Sequence, residues 1–551
     1  MSSGFLNPNY LEDGGPYVFV RQVQRLLALL GFSDVANVDG SGDKGADLIA
    51  RLNGTDWAFQ AKWRLRGGTV DESAVDEVVN AMREYRIDRG VVVTNGTFSR
   101  RAKDRTKVMA RMNIDVTLWD ASSLQTLYDA AATSLPQFTL HEYQARAVTG
   151  LWNALEETNR ALIYLATGLG KTVVAGRLVT KFLKRNPAAR ILVMAHTSDL
   201  IEQLERSMWR DIPKSVPTRM VSSQNRPDDL SGVTFAVLPT AAGYVSQGFR
   251  PDLVIVDEAH HVGETGYYAQ IFEALANVPR LGVTATPWRG DRFDIQSVFG
   301  PPVEEVSISD GMRLGYLAGV HYRMFSDNID WDFVHQKSNH NYTIKDLNKR
   351  LFVPERDDAI RDHLISVWDR VVNPRAIVFC QTIQHSELMA ELLSRVPGWA
   401  NTTSVHGELK KGDRRSRILD FRSGVVPILT SVDLLNEGVD VPDVNILVFA
   451  RVTHSRRIFV QQLGRGLRLA ENKDVVEVLD FISDVRRLAE VQQLSEQISA
   501  DEIEDVSVPR NSFEFTDNKV QGLLEQWVKD IGDLGGADES VRLEFPPMEV
   551  G

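Results

Sequence analysis

The chain has 551 residues, 43% hydrophobic and 25% charged, ordinary proportions for soluble globular domains and enough for about three or four of them. No apolar run reaches the roughly 18 residues a membrane span needs, and the start at Met1 lacks the basic-then-apolar pattern of a secretory signal, so neither is expected. The single cysteine, Cys380, excludes an internal disulfide and a Cys-rich zinc site, which fits a reducing, cytoplasmic setting. The net charge of −12 is unevenly spread: residues 488–551 hold 4 basic and 15 acidic side chains, so the body before them is nearly neutral and free to present local basic grooves.

Apolar spacing over Tyr17–Leu30 predicts a helix closed by Gly31. Ala46–Leu52 and Trp57–Trp63 read as strands joined at Asn53-Gly54. A helix over Val75–Arg86, strands at Gly90–Thr94 and Ile114–Leu118, and a helix over Ser122–Ala131 complete a compact α/β unit assigned to residues 1–134. Within it Asp47 falls on one strand near a turn, while Gln60 and Lys62 alternate on the next and so face one side. A carboxylate and an amide oxygen so placed could hold a hard divalent cation, Mg²⁺. Such a cation activates water against a phosphodiester, with Lys62 orienting the water or neutralising the developing charge. The plainer alternative is that Asp47 caps a turn and Lys62 is a solvated strand residue.

From Phe138 onward short apolar strands alternate with helices, the pattern of parallel sheets. Ala161–Leu165, Ile191–Ala195, Val233–Val237, Leu253–Val256 and Gly282–Thr284 form one set, assigned to a domain over 135–325. After a polar stretch, Ala376–Cys380, Ser404–His406, Val426–Thr430, Ile446–Ala450 and Val475–Asp480 form a second, assigned to 326–487. The acidic remainder, 488–551, places Val520, Leu523, Leu524, Trp527, Val528, Ile531 and Leu534 at helical spacing. That amphipathic helix is expected to pack back on the body, or to serve partner docking or self-inhibition, with acidic residues such as Asp501, Glu502, Glu504 and Asp505 mimicking DNA phosphates.

The segment Ala166-Thr167-Gly168-Leu169-Gly170-Lys171-Thr172 reads as a phosphate-binding loop, with Leu165 where the strict pattern has glycine. Gly168 and Gly170 allow the tight turn, Lys171 reaches the β and γ phosphates of ATP, and Thr172 offers a hydroxyl to Mg²⁺. Asp257 and Glu258 end a buried strand, where they can hold the Mg²⁺ and orient the attacking water.

Residues from about 138 to 485 resemble a superfamily 2 helicase of the DEAH type found in type III restriction helicase subunits. The resemblance implies that Gln144 reads adenine and that Thr167, Gly168, Gly170, Lys171 and Thr172 cradle ATP·Mg²⁺ with Asp257 and Glu258. It implies that Thr284-Ala285-Thr286-Pro287 couples hydrolysis to movement, and that Gly438 and Asp440 contact nucleotide and nucleic acid. In Gln461-Gln462-Leu463-Gly464-Arg465-Gly466-Leu467-Arg468 it makes Arg465 and Arg468 the arginine fingers, with Gln461 positioning the water or the fingers. Unwinding and translocation stay open.

Gly42-Asp43-Lys44-Gly45-Ala46-Asp47, Gln60-Ala61-Lys62 and Val93–Ser99 resemble the Mrr-like branch of the PD-(D/E)xK restriction endonucleases, which often has Gln where others have Glu. The first helix departs from that family in carrying Val20 where an acidic residue is common, and Glu12 and Asp13 are the carboxylates on hand to replace it. Together the resemblances imply a nuclease–ATPase acting on DNA, double-stranded in the main, in restriction or anti-phage defence. Two other readings stand beside it: a DNA-repair helicase whose nuclease fold only binds DNA, and an ATP-gated sensor that recruits an effector. No methyltransferase motif accompanies either half.

Overall fold

The computed structural model describes residues 8–38, 45–131, 138–222, 225–285, 293–325, 341–343, 357–432, 444–450, 463–464, 466–469, 473–481, 486, 491, 494, 512–515 and 542–544. Among these no helix is long and apolar enough to cross a membrane.

The N-terminal unit is a mixed sheet of β1 (Ser33–Asn37), β2 (Leu48–Leu52), β3 (Thr55–Lys62), β5 (Arg89–Thr94) and β7 (Asp115–Trp119), in that spatial order. The two-residue strands β4 (Thr69–Val70) and β6 (Thr97–Phe98) pair beside it. β1, β2 and β3 are antiparallel neighbours, whereas β3, β5 and β7 run parallel. Both faces are covered, so strand residues divide by parity. Leu48, Phe59, Val91 and Val93 pack with Phe19, Val23, Leu26 and Leu27 of α1 (Pro8–Leu29). Ile49, Ala58 and Val92 pack on the opposite face with Val75, Val78 and Met82 of α2 (Ser73–Tyr85) and with Ala102 and Met109 of α3 (Arg100–Arg111). α4 (Ala121–Ala130) closes the unit.

Two seven-stranded, all-parallel sheets follow. The first runs β10 (Thr218–Val221), β11 (Val233–Val237), β9 (Ile191–Ala195), β12 (Leu253–Asp257), β13 (Arg280–Thr284), β8 (Arg160–Leu165) and β14 (Pro302–Val306). Its first helices are α5 (Glu142–Thr158), α6 (Lys171–Arg185) and α7 (Ser198–Met208). The second runs β18 (Thr403–Val405), β19 (Ile428–Ser431), β17 (Ala376–Phe379), β20 (Ile446–Ala450), β21 (Val475–Phe481), β15 (Gly319–Phe325) and β22 (Ser512–Phe515). A two-stranded ribbon of β16 (Asn341–Thr343) and β23 (Arg542–Glu544) stands apart.

One of these pairings corrects the sequence reading. β15 is in register with β21 from Gly319↔Val475 to Phe325↔Phe481, so the second sheet begins at Gly319 and the expected boundary at 325/326 falls at the end of one of its strands. The acidic remainder also contributes strands: β22 adds a parallel edge strand beside β15, and β23 pairs with β16. The expected helix over 518–534 and the acidic residues 501–505 lie outside the described residues.

The units are packed against one another. Arg21 of α1 forms a buried ion pair with Glu205 of α7. Arg25 donates to the carbonyls of Val216 and Pro213, each at 2.9 Å. Lys214 Nζ donates to the carbonyls of Tyr128 and Ala131, each at 2.8 Å. In the helix Lys411–Ser423, Arg414 donates to Asp199 at 2.7 Å and Leu419 packs on the α2–α3 core of the N-terminal unit.

Candidate active sites

The N-terminal site forms where β2 and β3 meet under α2. Asp47, one residue before β2, has the parity of Ile49, and Gln60 and Lys62 have the parity of Ala58, so all three face α2. Asp47 and Gln60 are buried, at 7% and 4% exposure. The Ala61 N–H donates to Asp47 Oδ2 at 2.6 Å and fixes the carboxylate. Gln60 Oε1 is buried without a hydrogen-bond partner among the described residues. An orphaned amide oxygen is costly unless something fills its valence. Beside a fixed carboxylate it fits a hard, oxygen-seeking cation such as Mg²⁺. Asp43 and Lys44 lie outside the described residues.

Lys62 is ion-paired with Glu77 of α2. That carboxylate was not anticipated; the pattern Val75–Val78–Val79 marks α2 as amphipathic but says nothing of which residue its polar edge meets. Gly45 makes the approach possible: its φ is +92°, and a Cβ there would run into the Glu77 carbonyl. Val20 is a core residue at 5% exposure, so the first helix brings no acid here from that position, and Glu77 supplies one from the other face. Thr94 Oγ1 donates to the Lys62 carbonyl at 2.7 Å and holds β3 to β5 at the site.

The second site forms at the C-terminal edge of the first seven-stranded sheet, where β12, β13 and β8 lie side by side. Ligands of open parallel sheets bind at this edge. Gly168 and Gly170 have φ of 93° and 79°, and α6 starts at Lys171, so its positive end faces the turn. Lys171 Nζ lies 3.9 Å from Glu258 Oε1. Glu258 is buried with φ of 49°, a strained left-handed turn that follows Asp257 at the end of β12. Thr172 follows on the first turn of α6, and with Asp257 it supplies hard oxygen donors suited to Mg²⁺. A cradle of N–H groups, an ammonium and two oxygen donors fits a nucleoside triphosphate with its cation.

Gln144 is placed against the loop, but its amide is engaged there: Nε2 donates to the Leu169 carbonyl at 3.1 Å and Oε1 accepts from the His141 N–H at 3.0 Å. Tyr143 donates to the same carbonyl at 2.8 Å, and burial pushes its hydroxyl up to about 12. Gly464 and Arg468, from the unit of the second seven-stranded sheet, pack on the loop. A Cβ on Gly168 would lie 3.2 Å from Arg468 Cγ and 3.3 Å from the Gly464 carbonyl oxygen. Arg468 is thereby brought to the loop, whereas Gln461, Arg465, Gly438, Asp440, Thr286 and Pro287 lie outside the described residues.

A further group lies beside this site. His260 Nδ1 and Thr284 Oγ1 share a hydrogen bond of 2.8 Å, tying the Asp257–Glu258 turn to the end of β13. The His260 ring meets His261 at 4.4 Å between centroids, and His261 meets His196, after β9, at 4.1 Å. Asp257-Glu258-Ala259-His260 marked the first of these; nothing in sequence joined His196 to it.

The family models agree with this division. Residues 11–128 match a restriction endonuclease model of the Mrr catalytic type, 137–289 the type III restriction enzyme res subunit, and 355–470 the helicase conserved C-terminal domain. A 51.5 kDa protein of a Lactococcus phage (isolate 7-9) is 29% identical over 319 residues, 57% of this chain and 64% of the relative. The type I restriction enzyme EcoAI endonuclease subunit of Escherichia coli is 25% identical over 77% of this chain and 55% of the relative. The chain thus spans less than two thirds of the length of either relative. The solved structure of the ATP-dependent type ISP restriction-modification enzyme LlaBIII bound to DNA superposes with a TM-score of 0.51 at 16% identity, over 96% of this chain and 41% of that one, and shares the fold. The chain therefore carries, in order, an Mrr-type restriction endonuclease domain, a domain of the type III restriction enzyme res-subunit family and a helicase conserved C-terminal domain.

Proposed function

We propose that this chain is an ATP-driven DNA translocase or helicase joined to a Mg²⁺-dependent DNA endonuclease, acting on duplex DNA in restriction or anti-phage defence in the cytoplasm. The observation that carries the nuclease half is the buried Gln60 Oε1, without a hydrogen-bond partner among the described residues, beside Asp47 on the face that presents Lys62. In this reading Asp47 and Gln60 hold the cation, which supplies an activated water and neutralises charge on the phosphodiester. Lys62 then exchanges Glu77 for the water or the scissile phosphate.

In the motor half, Lys171 turns from Glu258 to the β and γ phosphates, and Glu258 orients the attacking water. Arg468, and with it Arg465 and Gln461, acts on the γ-phosphoryl group from across the cleft. Gln144 reads adenine by exchanging its present bonds, and Gly438 and Asp440 join nucleotide to DNA. The C-terminal acidic segment is assigned to docking a protein partner.

The test is cutting of plasmid and phage DNA with Mg²⁺, with and without ATP, by wild type, Lys62→Ala and Lys171→Ala. Cutting lost in Lys62→Ala, and lost or uncoupled from ATP in Lys171→Ala, is expected. Strong DNA-stimulated ATPase with no cutting of either DNA by wild type overturns the nuclease half.

A further inference from the structure

Helix α3 carries six basic residues and one acidic residue, in a chain whose net charge is −12. Its buried residues are Ala102 and Met109. With 3.6 residues per turn, Arg100, Lys103, Lys107 and Arg111 fall within roughly 80° of one another, away from that buried face, in a stripe about 16 Å long. Arg105 is held on the inner side by Asp76 of α2 at 2.7 Å. Asp104 sits at the edge of the stripe, 3.8 Å from Arg100 and 2.9 Å from Lys107, but those cations stay 96% and 71% exposed. Exposed pairs of this kind contribute about 1 kcal/mol or less, so a phosphate can displace them. Lys103 and Arg111 are exposed with no ion pair among the described residues.

The stripe is tied to the nuclease site. Consecutive residues of α2 reach both: Asp76 holds Arg105 of α3, and Glu77 holds Lys62. On the approach, Asn95 clamps the Arg64 backbone in both directions, at 2.7 and 2.8 Å, and so sets the turn bearing exposed Arg66 beside the β4–β6 pair that leads into α3. A helix that only aids solubility mixes its signs; this one gathers cations on a single face and packs beside α2.

We propose that the Arg100–Lys103–Lys107–Arg111 stripe grips the phosphate backbone of duplex DNA and presents a strand to Asp47, Gln60 and Lys62, a proposal that rests on the nuclease reading above. Such contacts set position and carry no base information, so the grip serves cutting at any sequence.

The test measures the affinity of the full chain for a short duplex across a salt series, without nucleotide, and plasmid cutting in parallel. The variant loses all four stripe charges to Gln; a control loses exposed Arg146, Arg185, Arg370 and Arg395 instead. At about 0.9 counterions released per phosphate contact, the slope of log K against log salt should become shallower by about 3 to 4 in the stripe variant and stay unchanged in the control. Cutting near physiological salt should fall by at least about tenfold and recover at low salt. A slope change below about 1 overturns the grip. If Lys62→Ala abolishes cutting while the stripe variant binds and cuts as wild type, the grip is lost and the nuclease reading survives. If wild type does not cut but the stripe variant loses its slope, the grip stands and the nuclease reading falls.

Discussion

At the scale of single residues, two positions make sharp predictions. Burial pushes the Asp211 carboxyl up from 3.8 to about 6, against the opposing pull of Arg177 and Arg210. Gly176 is what lets it in, since a Cβ there would fall 2.5 Å from Asp211 Oδ2. The folded value lies above the unfolded one, so the stability this group contributes is full below pH 3.8 and is lost as pH rises through about 6. Asp211→Asn cannot ionise. The melting temperature of wild type relative to the variant should therefore fall between those pH values and level off above them, an effect of at most about 3 kcal/mol. A difference that stays flat with pH would count against a buried, protonating Asp211. The second position is Gly464, where a Cβ would lie 2.7 Å from Thr167 Cβ. Gly464→Ala should push its segment off the phosphate loop and lower ATPase turnover by at least about tenfold, the scale of losing a finger-type contact. Gly407→Ala, which meets open space, is the matched control and should turn over as wild type.

At the scale of elements, α1 does more than cover its own sheet. Arg21 and Glu205 are 5% and 3% exposed, so removing one leaves the other charged and buried, at a cost of about 3–5 kcal/mol. Arg21→Ala should lower the melting temperature markedly, and Arg21→Met with Glu205→Leu should recover most of the loss. If the double variant is no better than the single, the pair is not what holds α1 to α7. The elements also show how far patterning carries. Helices over Tyr17–Leu30 and Val75–Arg86 were legible because their apolar residues recur at helical spacing. α3 was not, because only Ala102 and Met109 are buried and its sequence is dominated by charge. β15 was missed because it stands just before the polar stretch, where a single strand belonging to the next sheet carries no mark of its partner.

At the scale of the whole molecule, the helix Lys411–Ser423 touches all three units. Its Arg414 donates to Asp199 of α7, and its Leu419 packs on the nuclease-side core. In the proposed reading, movement between the two parallel sheets during turnover passes through this contact with the N-terminal unit. Arg414→Ala with Leu419→Ala should leave DNA-stimulated ATPase within about twofold while reducing the ATP stimulation of cutting, a coupling free energy of about 1–3 kcal/mol being typical. Measuring both activities on one preparation decides it: parallel loss of both, or loss of neither, denies the coupling role.

The sequence by itself determined the local geometry that neighbouring residues make. The Gly168–Gly170–Lys171–Thr172 turn, the Asp257–Glu258 strand end and the Gln60–Lys62 alternation are each set by backbone geometry over a few residues, and so could be read in one dimension. Tertiary structure decided everything that depends on distant segments meeting. Glu77 reaches Lys62 from another element, Arg468 comes to Gly168 from some 300 positions away, and His196 joins His261 and His260 through adjacent strand ends. Such meetings follow from sheet order and crossover connections, whose closure leaves no period, spacing or composition in the chain.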